Sequence, residues 1–285
     1  MKKGLNLWTV IGFSGELRLV EDAIRVGAEI GYDGIEFVFD DSSIDPAKLS
    51  KTDRKRFLEL ANSYNIIYPS VATGVFWKYN LGSPDKELRE RGIEYIRRGI
   101  ELAYDLNAKV LLVVPAVANP EISYKKLYEN SQKSILSIAD YAAEYDVIIG
   151  IENVWNKFLY SPLEYRRFIE EINHDYVKAY LDIGNIVNLG YIENWLEIIK
   201  DMIAMIHVKD FDVKIGNING FRHLLQGSIN WKKVIGKIRE TGYDGFLNVE
   251  CPPEFYPDLK TPKYPEDGIR AAKDNYNALK QILGE

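Results

Sequence analysis

Residues 146–155 read DVIIGIENVW, and this stretch decides the fold. Val147, Ile148, Ile149 and Ile151 form an apolar run of strand length, the signature of a strand buried on both faces. The run ends by setting a carboxylate, Glu152, and an amide, Asn153, at its C-terminal tip. A charge that closes an apolar strand is costly unless it is paired, solvated or bound to a metal. The same arrangement recurs three times further on. AYLDIGN (179–185) closes on Asp182, AMIHVKD (204–210) on His207, and FLNVEC (246–251) on Glu250. Three carboxylates and one imidazole, each at the end of its own strand, make a candidate divalent-metal site.

Outward from this stretch, strand and helix patterns alternate almost without interruption. Strands are expected over 5–11, 34–39, 66–72, 109–115, the quoted segment, 177–182, 203–208 and 246–251. Helices are expected over 18–30, 53–64, 84–106, 123–145, 162–172, 193–202, 230–241 and 265–283. Gly31 and Gly242 stop two of the helices, Ser161 is the expected cap of the helix opened by Pro162, and Ser83 is the expected cap of a helix with Pro84 at its first position. Eight β–α units with no spare segment predict a single (β/α)8 TIM barrel over residues 1–285, a closed sheet without edges. A doubly wound open sheet would ordinarily announce itself with GxGxxG after the first strand, and TVIGFSGE (9–16) does not fit. The long loops 211–228 and 252–264 both follow strands, which places them at the active-site face of a barrel.

Composition narrows the classes of function. The longest apolar runs fall far short of the ~20 residues of a membrane span. A single cysteine, Cys251, excludes an internal disulfide framework, fits a reducing cytoplasm, and lies on the strand parity that faces the core. A net charge of −6 argues against a nucleic-acid backbone as partner.

Strand alternation places Glu152 on one face with Ile148 and Gly150, His207 with Met205 and Lys209, and Glu250 with Phe246 and Asn248. A lone acid at a strand end more often caps a helix or pairs with a cation, and a lone histidine is as often a hydrogen-bonded core residue. Four such residues at homologous places in consecutive units favour metal. The set is oxygen-rich with one nitrogen and no thiolate, which suits Mn²⁺, Mg²⁺, Co²⁺ or Zn²⁺.

The blocks IENVWNKFLYSP (151–162), YLDIGNIV (180–187), IHVKDF (206–211) and VEC (249–251), with GYDGIEF (31–37) and YNLGSPD (79–85), resemble the sugar-phosphate isomerase/epimerase superfamily of xylose-isomerase-like barrels. The likeness is strongest to L-xylulose 5-phosphate 3-epimerases, with D-tagatose 3-epimerases further off. The resemblance implies that Glu152, Asp182, His207 and Glu250 bind the metal and that the two glutamates double as an acid/base pair. It also implies substrate contacts at Asn185, where tagatose-type enzymes carry histidine, and at Arg222, the nearest match to a substrate-contacting arginine of the family. Leu225-Gln226-Gly227 stands where the phosphate-using relatives have Gly-Glu-Gly.

The chemistry of the residues agrees with this likeness. Inverting a carbon beside a carbonyl requires removal of an unactivated C–H proton. A divalent cation on the carbonyl stabilises the enediolate, and two carboxylates on opposite faces move the protons. Lys209 is a candidate for binding substrate oxygen or phosphate, or an ion-pair partner of Asp210 or another acid. Glu36 is counted with the substrate-side residues, either supporting the ligands or forming a plain salt bridge. Trp77, with Phe76 and Tyr79 beside it, and Trp155 are candidate walls for a sugar, although the loop aromatics would serve equally in a homo-oligomer contact.

The sequence therefore points to a metal-dependent cytoplasmic epimerase of a ketose or ketose phosphate that inverts C3, without nucleic-acid or membrane partners. The alternatives are an aldose–ketose isomerase or a keto-polyol dehydratase on the same site. A DNA-repair enzyme like endonuclease IV is disfavoured by only three histidines (His174, His207, His223) and by the acidic charge. A non-catalytic sugar-binding barrel completes the set.

Overall fold

The computed structural model describes residues 1–13 and 15–285. Eight parallel strands close into a barrel. In chain order they are β1 (Lys2–Asn6), β2 (Gly34–Phe39), β3 (Ser70–Thr73), β4 (Val110–Val113), β5 (Ile148–Glu152), β6 (Val177–Asp182), β7 (Ile203–Val208) and, after a small hairpin of β8 (Asp210–Phe211) and β9 (Phe221–Arg222), β10 (Phe246–Val249). Their order around the barrel is β1-β10-β7-β6-β5-β4-β3-β2, so every strand pairs with its neighbour in the chain and β10 returns to β1. All contacts within the barrel are parallel, whereas β8 and β9 pair antiparallel. Among the described residues, no helix is long and apolar enough to cross a membrane.

The helices are α1 (Trp8–Ile11), α2 (Leu17–Ile30), α3 (Lys51–Ser63), α4 (Lys86–Asp105), α5 (Tyr124–Glu144), α6 (Pro162–Ile172), α7 (Ile183–Ile186), α8 (Ile192–Ile199), α9 (Trp231–Glu240) and α10 (Glu266–Leu283). Each long helix lays an apolar stripe on the strands. In α2 the buried positions Leu19, Val20, Ala23, Ile24 and Gly27 recur at helical spacing. Each fully buried aliphatic side chain of this kind contributes about 1.5–3 kcal/mol relative to exposure.

Most expected boundaries move by one or more residues (the helix expected over 193–202 ends at Ile199, and the strands expected over 109–115 and 246–251 end at Val113 and Val249), and three shifts have a clear local reason. The first strand ends at Asn6 because its side-chain oxygen accepts from Trp8 N (2.8 Å) and turns the chain into α1. Residues 7–11 are therefore not strand. Pro69 cannot donate to the ladder, so β3 begins at Ser70 and not at 66, and half-exposed Ile67 makes only an isolated bridge to Gly34. Ser161 stands at the N-cap position of α6 but its side chain makes no capping bond, and Ser83 does not cap α4. Asp85 does, accepting from Glu87 N (2.8 Å), and its negative charge suits the helix N-terminus better than a hydroxyl.

Candidate metal centre

The four strand-end residues converge. Glu152, Asp182, His207 and Glu250 each offer a ligand atom, and these atoms lie within 4.8 Å of one another. Register explains the convergence: Asp182 stands beside His207 across β6–β7, and His207 beside Asn248 across β7–β10, two residues before Glu250. Glu152 and Glu250 come from β5 and β10, which flank β6 and β7 in the barrel, so the two glutamates approach from either side of Asp182 and His207.

The burial of the four is unequal. Asp182 and His207 are wholly buried, whereas Glu152 and Glu250 retain 6% and 7% exposure and line a cavity of about 660 Å³ at the barrel mouth. Asn153, at the tip of β5, fixes Asp182 from both sides. Its Nδ2 donates to the Asp182 carbonyl (2.9 Å), and its Oδ1 accepts from Asp182 N (2.8 Å). Asp182 also caps α7, accepting from Asn185 N (3.0 Å), while the Asn185 amide donates to Asn153 O (3.0 Å).

Beneath the quartet lies a buried polar belt. His207 Nε2 and Asn6 Nδ2 both meet Glu36 Oε2 at 2.5 Å. Ser70 donates to Glu36 Oε1 at 2.7 Å, and the Tyr180 hydroxyl donates to the same oxygen. Asn248 Nδ2 donates to Ser70 Oγ (2.9 Å) and Tyr180 OH (3.0 Å). Two glycines make room for it. A Cβ on Gly4 would stand 1.9 Å from Asn248 Oδ1, and one on Gly150 would stand 3.0 Å from the Tyr180 ring. With Nε2 held by Glu36, His207 Nδ1 faces Glu152, Asp182 and Glu250 at 3.7, 3.9 and 3.6 Å and has no hydrogen-bond partner. A buried nitrogen without a partner, aimed at three carboxylates, fits a divalent cation.

Charge balance in the centre points the same way. Burial opposes a charge on His207, but Glu36, Glu250 and Glu152 outweigh it and hold the imidazole well above its ordinary range. Burial pushes the Glu152 carboxyl up to about 7; His207 opposes this, and Glu250 and Asp182 add to it. The Lys209 ammonium contacts both Asp182 and Glu250 and lies 5.3 Å from the Phe221 ring centre. A cation bound by the quartet would take the place of the His207 proton and compete with Lys209 for the two carboxylates.

The remaining candidates divide between cavity and framework. Asn185, Lys209 and Trp77 line the cavity, while Glu36, Trp155 and Arg222 are not among its lining residues. Trp155 donates from Nε1 to Asn185 O (2.8 Å) and packs on Phe211 and Phe221 behind the wall. The Arg222 guanidinium folds back on the carbonyls of Asn219 and Phe221 (2.7 Å each). Asp210, the neighbour expected as a partner for Lys209, instead accepts from Trp231 Nε1 (2.8 Å) and two backbone amides. Phe76 is buried, Tyr79 stacks on Tyr95, and Cys251 is buried against Val208 O. Trp8, Phe13, Phe221 and Phe255, which also line the cavity, were not singled out from the sequence.

The family model described as the xylose isomerase-like TIM barrel matches residues 24–279. The chain belongs to that family. It is 23% identical over 240 residues to a putative L-ribulose-5-phosphate 3-epimerase, SgbU, of Haemophilus influenzae, covering 81% of this chain and 82% of the relative. The barrel superposes on a D-psicose 3-epimerase from Clostridium cellulolyticum H10 solved with D-tagatose, at a TM-score of 0.81 and 18% identity over 99% of both chains. It also superposes on the IOLI protein, solved with a bound zinc atom, at 0.80 and 19% over the full length of both. Members of this family thus include sugar epimerases, and the buried Glu/Asp/His/Glu cluster is the candidate metal site.

Proposed function

We propose that the protein is a divalent-metal-dependent ketose epimerase that inverts C3. The observation that carries this reading is the unequal exposure of the quartet: only Glu152 and Glu250 face the cavity, while Asp182 and His207 are sealed behind them. Two of the four ligands are thereby free to touch a substrate as well. A cation held by the four supplies positive charge beside the substrate carbonyl, which lowers the cost of removing the neighbouring proton. Mn²⁺, Co²⁺, Zn²⁺ and Mg²⁺ all suit three carboxylates and an imidazole.

The chain's own residues supply the rest. One glutamate accepts the C3 proton, and the other, from the far side of the β5–β10 arc, returns a proton to the same carbon. The result is inversion without net redox change. Glu36 holds the His207 tautomer that leaves Nδ1 free for the cation, and Asn153 holds the Asp182 backbone. The apolar side chains that line the cavity, among them Leu112, Val114, Val154 and Phe221, limit water around the reacting carbon. The likeness to the Haemophilus relative, a putative L-ribulose-5-phosphate 3-epimerase, supports the same carbon and chemistry.

The test is turnover in D₂O. Solvent deuterium should appear at C3 of the product ketose. Glu152→Gln and Glu250→Gln should each lose epimerisation by several orders of magnitude, and each should keep exchange of the C3 proton of a different epimer. Deuterium at C1 with aldose formation would establish an aldose–ketose isomerase instead. Near-wild-type rates in both metal-loaded variants would remove the glutamates from the chemistry.

A further inference from the structure

We propose that the substrate is an uncharged ketose carrying a second neutral ring, the ring being held by an aromatic and acidic mouth above the metal centre. This inference rests on the ketose-epimerase reading of the floor. Three observations carry it.

The first is size. A cavity of about 660 Å³ falls mid-way in the range of about 300–1,000 Å³ typical for drug-sized ligands. It leaves room beyond a single five- or six-carbon sugar seated at Glu152 and Glu250.

The second is the sign of the charges. The lining carries Asp40, Asp41, Glu152, Glu250 and Glu254 against two ammoniums, Lys78 and Lys209, among the described residues. Both ammoniums are already engaged, Lys78 by Asp41 and Lys209 by Asp182 and Glu250. Lys209 lies at the floor, beside the reacting end of a substrate. At the mouth a phosphate would therefore meet more carboxylates than ammoniums, and both ammoniums already pair with carboxylates, so the local field opposes an anion.

The third is the character of the mouth. Phe13 is 53% exposed, Trp77 46% and Ile218 70%, in contrast to the nearly sealed glutamates below. All three line the cavity. Trp8 packs beside Phe13 with ring centres 5.6 Å apart and planes tilted by 51°, which sets two aromatic rings side by side at the mouth. Aromatic faces cover the C–H face of a sugar, and carboxylates accept from its hydroxyls. The mouth acids are held ready for this: Asp40 by the amides of Ser42 and Ile44 (2.7 and 2.9 Å), and Glu254 by the Tyr264 hydroxyl (2.8 Å to each oxygen). Their remaining lone pairs are available to hydroxyl donors. Such a surface fits a neutral polyol ring and disfavours an anion.

Three compounds with one head group test this: D-fructose, D-fructose 6-phosphate and 6-O-glucosyl-D-fructose. Binding to the Mn²⁺-loaded protein is measured by calorimetry, and C3 exchange in D₂O is measured separately. The glucosyl compound should bind at least about tenfold more tightly than fructose, a difference of about 1.4 kcal/mol. The phosphate should bind no better than fructose. Trp77→Ala and Phe13→Ala should weaken the glucosyl compound more than they weaken fructose. Tightest binding of the phosphate, or equal binding of all three, overturns the inference, and C3 exchange in that case leaves the epimerase reading standing. The expected ranking without deuterium at C3 of any compound does the reverse, retaining the two-ring site and overturning the epimerase.

Discussion

Glu36→Gln isolates what a residue that touches neither cation nor substrate contributes to the centre. Each Glu36 oxygen accepts two hydrogen bonds: Oε2 from Asn6 and His207, and Oε1 from Ser70 and Tyr180. A glutamine must turn an NH₂ group toward one of these pairs. Asn6 cannot reverse to accept it, because its own oxygen is committed to Trp8 N. Ser70 and Tyr180 are hydroxyls and can accept. The amide therefore settles with its nitrogen toward the hydroxyls and its carbonyl toward His207, so the imidazole keeps a partner and loses a charged one. Charge-assisted hydrogen bonds contribute about 1.5–3 kcal/mol and neutral ones about 0.5–1.5. The difference, about 1–1.5 kcal/mol, corresponds to roughly tenfold weaker metal affinity, at the low end of the 10–100-fold (about) typical when a ligand's supporting partner is changed. Competition with a chromophoric chelator for Mn²⁺ or Zn²⁺ measures it directly. Glu36→Leu should cost more, because all four donors then lose their acceptor. A Glu36→Gln protein with wild-type metal affinity, or one as weak as Asp182→Asn, would refute the reasoning.

Three further outcomes are expected. EDTA should abolish turnover, and Mn²⁺ or Co²⁺ should restore it; full activity in protein shown by elemental analysis to be metal-free would count against the centre. Lys209→Met should tighten metal binding by about tenfold or more, because the ammonium no longer competes for Asp182 and Glu250, and unchanged or weaker affinity in calorimetry would contradict that. His223 is buried against Tyr256, and its Nδ1 lies 2.7 Å from Asn275 Nδ2. Burial lowers its pKa to about 4, with Asp274 opposing and Arg270 adding to the shift. Below pH 6.5 the unfolded chain takes up a proton that the folded chain refuses, so stability should fall between pH 6.5 and 4, by about 2.5 kcal/mol at pH 4.5. Urea melts of His223→Gln should show a shallower pH dependence, and parallel curves would assign the acid sensitivity elsewhere.

Strands β2, β6 and β7 were legible to the residue, because each apolar run is bounded by a glycine or a charge at the point where pairing stops. The quartet was legible because its pattern repeats, so that four weak signals supported one another. The belt was not. Asn6, Ser70, Tyr180 and Asn248 lie on four strands, and nothing local says that their side chains meet. Tyr180 reads as an ordinary strand aromatic, and a register shift between Ala179 and Tyr180 sets the stagger of β6 against β7. Arg222 is implied as a substrate contact only by the resemblance, but the β8–β9 hairpin turns its guanidinium back onto the carbonyls of Asn219 and Phe221, a fold-back that a resemblance in sequence cannot reveal. The cavity mouth is not legible where it is built from the segment after β1, since Trp8 reads as part of a strand over 5–11 and Phe13 lies beyond it with no pattern of its own.

The polar belt under the metal centre has a consequence for how this chain can change. Most barrels fill that interior layer with branched aliphatics, and exchanging buried polar groups for apolar ones of similar volume often leaves a protein as stable or more so. Single replacements along Asn6, Glu36, Ser70, Tyr180 and Asn248 would strand partners and be punished, whereas a coordinated exchange of these five together with His207, whose Nε2 bonds to Glu36, would not. Selection for heat resistance alone would therefore drive this lineage toward a sturdier barrel that had forgotten its chemistry. An engineer seeking a durable catalyst should leave that layer untouched and stabilise the outer helices, where the barrel's robustness and its reactivity do not draw on the same atoms.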